Sequence, residues 1–209
     1  RRSSDDAPTL ADYDALFAGR SIHTGFRSEE PEAPLYRRIL GPAFDTLPPR
    51  LKELHGSKAA RRWRGHAEVR RGTGLLARIA AATMRFPKAA ARAPLTVAFA
   101  PEGGGERWTR DFAGERFSSH QSRGAGRNEY LLVERFGVLS FAMALVVERD
   151  RLYLIPRRWS AFGLPMPRWL MPYGASFETE TGGRFHFDVE IATPLTGLIV
   201  AYRGSLEPA

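Results

Sequence analysis

The 209-residue sequence contains no cysteine, and only Lys52, Lys58 and Lys88 among its 31 Lys and Arg residues are lysines. Without cysteine there is no disulfide bond, no thiolate nucleophile and no cysteine-based metal site. No stretch approaches the ~20 consecutive apolar residues of a membrane-spanning helix. A positively charged segment followed by an apolar leader is also missing. We therefore expect no transmembrane segment and a cytoplasmic protein.

Patterns for metals, nucleotides and hydrolytic triads are missing as well. The five histidines show neither the HxH nor the HExxH spacing of a local metal site. The GTG at 72–74 lacks the GxGxxG and Walker patterns, and Ser118 and Ser119 beside His120 form no nucleophile elbow. His55 closes a predicted helix, where a cation suits the helix dipole. We expect no bound metal and no cofactor.

Positive charge is in excess: the net charge is +8, which favours an anionic partner. The most basic stretch is 57–71, SKAARRWRGHAEVRR, with Trp63 among the arginines. Arginines interleaved with an aromatic ring suit a nucleic-acid surface, and a basic face also suits an anionic membrane. The alternation of Trp63, Ala67 and Val69 indicates instead a strand with a solvated basic face. We favour the strand, and we expect no specific nucleic-acid partner.

The clearest structural pattern lies at 183–206, GRFHFDVEIATPLTGLIVAYRGSL. Apolar and polar residues alternate strictly through RFHFDVEI, which is typical of a half-buried antiparallel strand. After Pro194, the run LTGLIVAY is apolar on both faces, as in a strand covered on both sides. Further strand patterns, separated by Gly- and Pro-rich turns, begin at 95. The sequence therefore predicts a mainly β fold: a strongly curved antiparallel sheet of about nine strands, as a half-barrel or a closed, calycin-like barrel.

Helices are predicted before the sheet and once within it. Patterns at 35–40 and 49–55 predict two short helices that cap the sheet. The stretch 75–86 predicts a helix after the first strand, with an apolar face that is buried or closes a cavity. That face includes Leu75, Leu76, Ile79, Ala80, Thr83 and Met84.

Composition divides the chain into two parts. Residues 1–34 are predicted as a helix at 9–17 followed by a linker, because RSEEPEAP is typical of linkers. Residues 35–209 are predicted as a single β-rich domain. An apolar, proline-rich insert at 159–173 does not fit a strand, and we expect it to fold over an end of the sheet or to contact a membrane or ligand.

Six segments resemble an uncharacterised bacterial family, domain of unknown function 4166. They are LYRRILGPAFDTLP, ERWTRDF, LLVERFG, GLPMPRWLMP, RFHFDVEI and PLTGLIVAYRG. The resemblance covers roughly residues 35–206. It implies no particular reaction, because the family has no established one. Members often follow a reductase-like nucleotide-binding domain, so the resemblance implies an upstream domain or partner of that kind.

Two predicted strands each place a charged side chain on an apolar face. These faces consist of Trp108, Arg110 and Phe112 in one strand and of Tyr130, Leu132, Glu134 and Phe136 in the other. A charge inside an apolar barrel is costly unless it is paired or liganded. We predict that all of these residues except Leu132 bind a ligand, with Arg110 as anchor for a carboxylate or phosphate and Glu134 as its partner or a general acid/base. A plain Arg110–Glu134 pair without a ligand is the alternative.

Three functions stay open. The first is a small-molecule binding domain that encloses an apolar, lipid-like or polyketide-like ligand in the barrel. The second is a cofactor-free isomerase or cyclase that uses the same cavity, with Glu134 as catalytic acid/base. The third is a nucleic-acid or anionic-membrane binder through 57–71. Whether the protein is an enzyme is therefore undecided by the sequence.

Overall fold

The computed structural model describes residues 33–174 and 176–209. The helix predicted at 9–17 and nearly all of the linker that follows lie outside these residues. The described part is mainly β, as the sequence predicts.

Three α-helices occur in the described residues, two before the sheet and one after its first strand. They are α1 (Leu35–Leu40), α2 (Pro49–His55) and α3 (Leu75–Thr83). Short 3-10 segments lie at Gly41–Thr46, Gly126–Asn128 and Arg168–Leu170. Proline begins α2 at a first-turn position, where the missing N–H has no intrahelical partner to lose. All three predicted helices are confirmed.

Eleven strands occur in the described part of the chain, separated mostly by tight turns. They are β1 (Arg61–Arg71), β2 (Ala90–Glu102), β3 (Gly105–Phe112), β4 (Glu115–Arg123), β5 (Leu132–Phe136), β6 (Leu139–Glu148), β7 (Arg151–Ala161), β8 (Leu164–Pro165), β9 (Ser176–Thr181), β10 (Arg184–Thr193) and β11 (Gly197–Pro208). The strand predicted within 57–71 is confirmed as β1.

The sheet closes on itself. Each strand from β1 to β7 pairs antiparallel with the next, and β1 also pairs with β11. From β11 the order continues through β10 and β9 back to β7. Ten strands therefore form a closed barrel, and β8 lies outside it, paired with β7. The predicted curved antiparallel sheet is confirmed, and of the two predicted forms it is the closed one.

Alternation in β10 and a glycine in β11 shape the wall. Phe185 is buried and Phe187 packs against the core, as predicted, whereas Asp188 on the other face is half-buried. In β11, a Cβ at Gly204 would lie 2.1 Å from the carbonyl oxygen of His66 in β1. The two backbones approach closely here, and only glycine leaves room for that approach.

The two ends of the barrel differ. At one, which we call the plugged end, α1 and α2 cover the interior with buried leucines and Tyr36. Arg50 of α2 donates to the carbonyl of Gly183, in the turn between β9 and β10, at 2.7 Å. The other, which we call the open end, consists of α3 and the turns that follow β3, β5, β7 and β10.

The orientation of α3 differs from the prediction. Leu75, Leu76 and Ile79 belong to the face that was predicted to be buried or to close a cavity, but they are 71%, 57% and 54% exposed, and Ala80 is the residue of that face within α3 that lines the cavity. Ala77 faces the barrel instead and is fully buried. A Cβ on Gly72 would lie only 2.9 Å from Cβ of Ala77. The helix therefore lies too close to the strands for a leucine to fit between them.

The pairing of β7 with β9 is the shortest seam of the barrel. Three residues of each strand pair, at 151–153 and 177–179. Beyond them, the segment 162–174 lies between β7 and β10, and Tyr173 exchanges two 2.8 Å backbone hydrogen bonds with Ala192. The proline-rich insert thus folds over the end of the sheet, as one of our alternatives predicted. The prediction that it contains no strand is wrong, because β7 continues to Ala161 and β8 pairs with it.

Candidate functional site

A cavity of about 300 Å³ lies inside the barrel. Apolar side chains of β6, β7, β10 and β11 form much of its wall, and Ala80 of α3 and Met84, which directly follows α3, also line it. Four charged residues also line it: Arg110, Glu134, Glu178 and Glu190. An apolar cavity of this size with a few polar groups is typical of small-molecule sites, at the lower end of their size range.

Four of the six predicted binding residues line this cavity. They are Trp108, Arg110, Glu134 and Phe136. Phe112 is buried and lines a smaller adjoining space of about 60 Å³. Tyr130 lines neither space, because β5 begins only at Leu132 and the predicted alternation does not extend to residue 130. Tyr130 has a left-handed backbone (φ 65°) and is exposed near the plugged end.

Arg110 and Glu134 meet inside the barrel. Nη2 of Arg110 donates to Oε1 of Glu134 at 3.2 Å, and Nη1 donates to Oγ of Ser119 at 2.9 Å. Ser119 Oγ in turn donates to the same Oε1 at 2.6 Å. The three residues lie on β3, β4 and β5, which are consecutive neighbours in the sheet. Since both contacts use Oε1, Oε2 of Glu134 has no hydrogen bond within the described residues.

The surroundings of Arg110 keep it charged. Burial alone would lower the pKa of Arg110, but the attraction of Glu134, with smaller contributions from Tyr202 and Tyr36, outweighs burial and raises it. The guanidinium carbon also lies 5.2 Å from the ring centroid of Trp108, within the range of a cation–π contact. The carboxylate and the aromatic ring thus compensate for the water that Arg110 loses.

A second buried pair, which the sequence analysis did not identify, joins α2 to β9. His55 Nε2 donates to Oε2 of Glu178 at 2.5 Å, and the two side chains are 0% and 9% exposed. The imidazole stacks on Tyr36 with ring centroids 3.7 Å apart. Its Nδ1 has no hydrogen-bond partner in the described part of the chain. His55 does end its helix as predicted, but that helix end is buried, so its side chain meets a carboxylate.

Tyr36 attaches α1 to the barrel. Its hydroxyl donates to Oε1 of Gln121 on β4 at 3.0 Å, and both side chains are buried. Burial, and then the nearby carboxylates of Glu178 and Glu134, raise the pKa of Tyr36 well above that of a free tyrosine. The phenol therefore remains a neutral hydrogen-bond donor beside the cavity.

Glu106 forms a third buried carboxylate pair. Arg61 binds it through both terminal nitrogens, at 3.1 and 3.2 Å, and the indole Nε1 of Trp108 donates to it at 3.1 Å. Arg61 belongs to the basic stretch 57–71, so part of that stretch stabilises the barrel and does not face a partner. Trp63, in the same stretch, is 2% exposed.

A larger but shallower groove of about 590 Å³ lies near β6 and β7, outside the interior cavity. Its lining includes Arg158, which already donates to the carbonyl of Arg127 at 2.6 Å. We assign the candidate site to the interior cavity, because there the charged groups are buried and held in place by several partners. Within residues 33–174 and 176–209, no group of three or more His, Asp and Glu side chains has a metal-binding arrangement.

A comparison with protein families settles the relationship. The family described as Domain of unknown function (DUF4166) matches residues 47–206. The chain belongs to this family. The DUF4166 match includes His55, Arg110, Glu134 and Glu178, whereas Tyr36 precedes it. No curated protein matches the chain.

We predict that the Arg110–Glu134 pair stabilises the DUF4166 fold as a unit. Glu134→Gln leaves the Arg110 charge buried without its counter-charge, which costs about 3–5 kcal/mol. Adding Arg110→Met removes that charge, so the double variant should recover much of the loss. Urea unfolding of the two single variants and the double variant measures the coupling.

The control for this cycle is Arg184→Met, which breaks the exposed Arg184–Glu207 pair. Exposed pairs contribute little, so this variant should unfold almost as the parent does. Purely additive losses in the Arg110→Met/Glu134→Gln double variant would show that the two side chains are not energetically coupled.

We predict a loss of stability at high pH that depends on Tyr202. Burial raises its pKa to about 12 from a usual value of 10.0. The folded state keeps a proton that the unfolded chain releases, so this contribution is fully present below pH 10 and is lost as the pH rises from 10 to about 12. The loss amounts to about 2.7 kcal/mol. Tyr202→Phe should reduce the fall by that amount in urea unfolding followed across this range, and an unchanged fall would contradict the assignment.

Proposed function

We propose that this barrel binds one apolar or amphiphilic small molecule in its interior cavity. The single observation that carries the proposal is the cavity of about 300 Å³, with mainly apolar walls and a buried Arg110–Glu134 pair on one side. An apolar wall favours a lipid-like or polyketide-like chain through the hydrophobic effect. Fixed polar groups orient the polar end of such a ligand. The barrel with its interior cavity is similar in architecture to calycin-type carriers. This similarity is an analogy of fold and does not identify a ligand.

The polar end of the ligand is proposed to be neutral. The sequence suggested Arg110 as an anchor for a carboxylate or phosphate, but Glu134 neutralises its charge at 3.2 Å. Glu178 and Glu190 add two more acidic residues to the cavity wall. A carboxylate head group would therefore enter a cavity lined by three acidic residues, whereas a hydroxyl or carbonyl oxygen only needs one N–H of Arg110.

We predict that decan-1-ol and 2-decanone raise the melting temperature and that decanoate raises it less. Native mass spectrometry after purification from cells and after addition of each probe measures how much of the protein holds a ligand.

Leu154→Trp adds an indole to the cavity wall, and it should abolish the shift in melting temperature. Val146→Trp is the matched control: Val146 alternates with the inward-facing residues of β6, so the same bulk is added outside. No shift with any of the three probes, and no co-purified ligand, would refute the proposal.

A second candidate function, acid/base catalysis in the same cavity, is favoured by the buried pairs. Oε2 of Glu134 accepts no hydrogen bond in the described residues, and Glu178 is held at 2.5 Å by His55. A carboxylate beside an apolar ligand can remove a proton from a carbon next to a carbonyl group and return it to another position, as a cofactor-free isomerase or cyclase requires.

This candidate predicts that the protein accelerates exchange of the α-hydrogens of 2-decanone with deuterium oxide. Mass spectrometry follows the deuterium that is incorporated. Glu134→Gln should remove the acceleration while 2-decanone still raises the melting temperature, and Glu178→Gln tests the other carboxylate in the same way. If 2-decanone binds but its α-hydrogens exchange no faster than in buffer alone, the acid/base candidate is wrong and the binding function remains.

The remaining expectations from the sequence stay proposals. A cytoplasmic location rests on the absence of cysteine. A reductase-like domain or partner rests on the family resemblance, and it would give the barrel an accessory role. A nucleic-acid interface through 57–71 is not favoured, because the buried ring of Trp63 is not available to stack on a base and Arg61 is bound to Glu106.

A further inference from the structure

Exposed apolar side chains are concentrated at the open end of the barrel. Of ten large apolar side chains that are exposed in the described residues, Tyr130 alone lies near the plugged end. The other nine belong to α3, to the turns after β5, β7 and β10, and to the segment between β7 and β9. They are Leu75, Leu76, Ile79, Val138, Phe162, Leu164, Trp169, Tyr173 and Leu195.

Several apolar side chains at this end are largely exposed. Phe162, Leu164 and Trp169 are 78%, 68% and 67% exposed, and Leu75 on α3 is 71% exposed. Single exposed apolar residues are common, but contiguous patches mark sites of interaction. Aromatic and leucine side chains together are typical of surfaces that enter the boundary between lipid head groups and acyl chains.

The charge around these side chains is positive. Residues 70–92 contain no acidic residue, and their basic residues are Arg70, Arg71, Arg78, Arg85, Lys88 and Arg92. Arg78 and Arg85 make no ion pair within the described residues, so their charges are available to a partner. The segment 157–173 likewise has no acidic residue. A basic rim around an apolar surface complements an anionic lipid head-group layer.

We propose that the open end docks on an anionic lipid bilayer surface. The leucines of α3 and Trp169 enter the interfacial layer, while Arg78 and Arg85 contact lipid phosphates. A second copy of the chain is disfavoured as the occupant, because two identical basic rims repel each other. Of the basic stretch 57–71, which we considered above for membrane binding, this surface includes only Arg70 and Arg71 at the end of β1.

Docking brings the cavity to the bilayer, because Ala80 lines the cavity and belongs to the same helix as Leu75 and Ile79, and Met84, directly after that helix, lines it too. An apolar ligand would then pass between bilayer and cavity without crossing water. This route rests on the proposed function, whereas docking itself does not.

The test is co-sedimentation of the full chain with vesicles of phosphatidylcholine, with and without phosphatidylglycerol, at low and high salt. We expect binding to require phosphatidylglycerol and to weaken with salt. Leu75→Ser/Leu76→Ser/Ile79→Ser should weaken binding at least about tenfold. Arg78→Gln/Arg85→Gln should weaken it roughly thirtyfold, since each cation near an anionic surface contributes about 1 kcal/mol. Tyr130→Ser, which removes the exposed ring near the plugged end, should bind as the parent does.

Trp169 supplies a direct reading of insertion. Of the four tryptophans, Trp63 and Trp108 are buried and Trp159 is half-buried with its indole N–H bound to the carbonyl of Pro167. A vesicle-dependent blue shift and quenching by brominated lipids should therefore come mainly from Trp169, which is 67% exposed, and should be largely lost in Trp169→Phe. Binding that is independent of phosphatidylglycerol, or equal loss in Tyr130→Ser, would overturn the proposal. So would a full chain that binds neither vesicle, as expected if residues 1–32 or a second copy cover this surface.

One variant separates this proposal from the proposed function. Leu154→Trp should lose decan-1-ol and keep vesicle binding, because it changes the cavity and not the rim. If decan-1-ol does not bind the parent protein, the proposed ligand site is contradicted and the docking proposal is not. If the parent does not bind vesicles, the docking proposal is contradicted and the ligand site is not. Melting curves of all variants establish that each is folded before binding is compared.

Discussion

The structure depends on finding partners for three glutamates inside an apolar barrel. Each glutamate lies on a different strand and meets one basic side chain from another element: Glu106 with Arg61, Glu134 with Arg110 and Glu178 with His55. A buried carboxylate without a partner costs several kcal/mol. The strands and α2 therefore adopt the register that brings all three pairs together, and alternative registers leave a charge unmatched. The pairs join β1 to β3, β3 to β5 and α2 to β9, so the same electrostatic requirement acts on part of the wall and on the plugged end.

Much of the fold could be predicted because its signals are local. Alternation around Phe185 depends only on adjacent residues, and the glycine-rich turns fix which strands are neighbours. Arg110 and Glu134 were found in the same way, since each interrupts an apolar face of its own strand. Tyr130 was assigned to that face incorrectly, because no local signal marks where β5 begins.

The rest of the site required contacts between distant parts of the chain. His55 and Glu178 are 123 residues apart, and Tyr36 and Gln121 are 85 apart. Nothing near His55 in the sequence indicates its partner; its apolar neighbours in α2 were the available signal that this helix end is buried. The exposed face of α3 was missed for a related reason. An apolar stripe predicts burial, but the close approach of the helix to the barrel leaves room for alanine alone.

The short β7–β9 seam has a kinetic consequence. Three residues of each strand pair there, whereas β6 and β7 pair over ten. Local opening proceeds where the fewest backbone hydrogen bonds must break, so this seam opens before the rest of the wall. The segment 162–174 covers the gap and is tied to β10 by the Tyr173–Ala192 hydrogen bonds. For the ligand proposed above, the residence time would then depend on how often the Tyr173–Ala192 hydrogen bonds break, and not only on the affinity of the cavity walls.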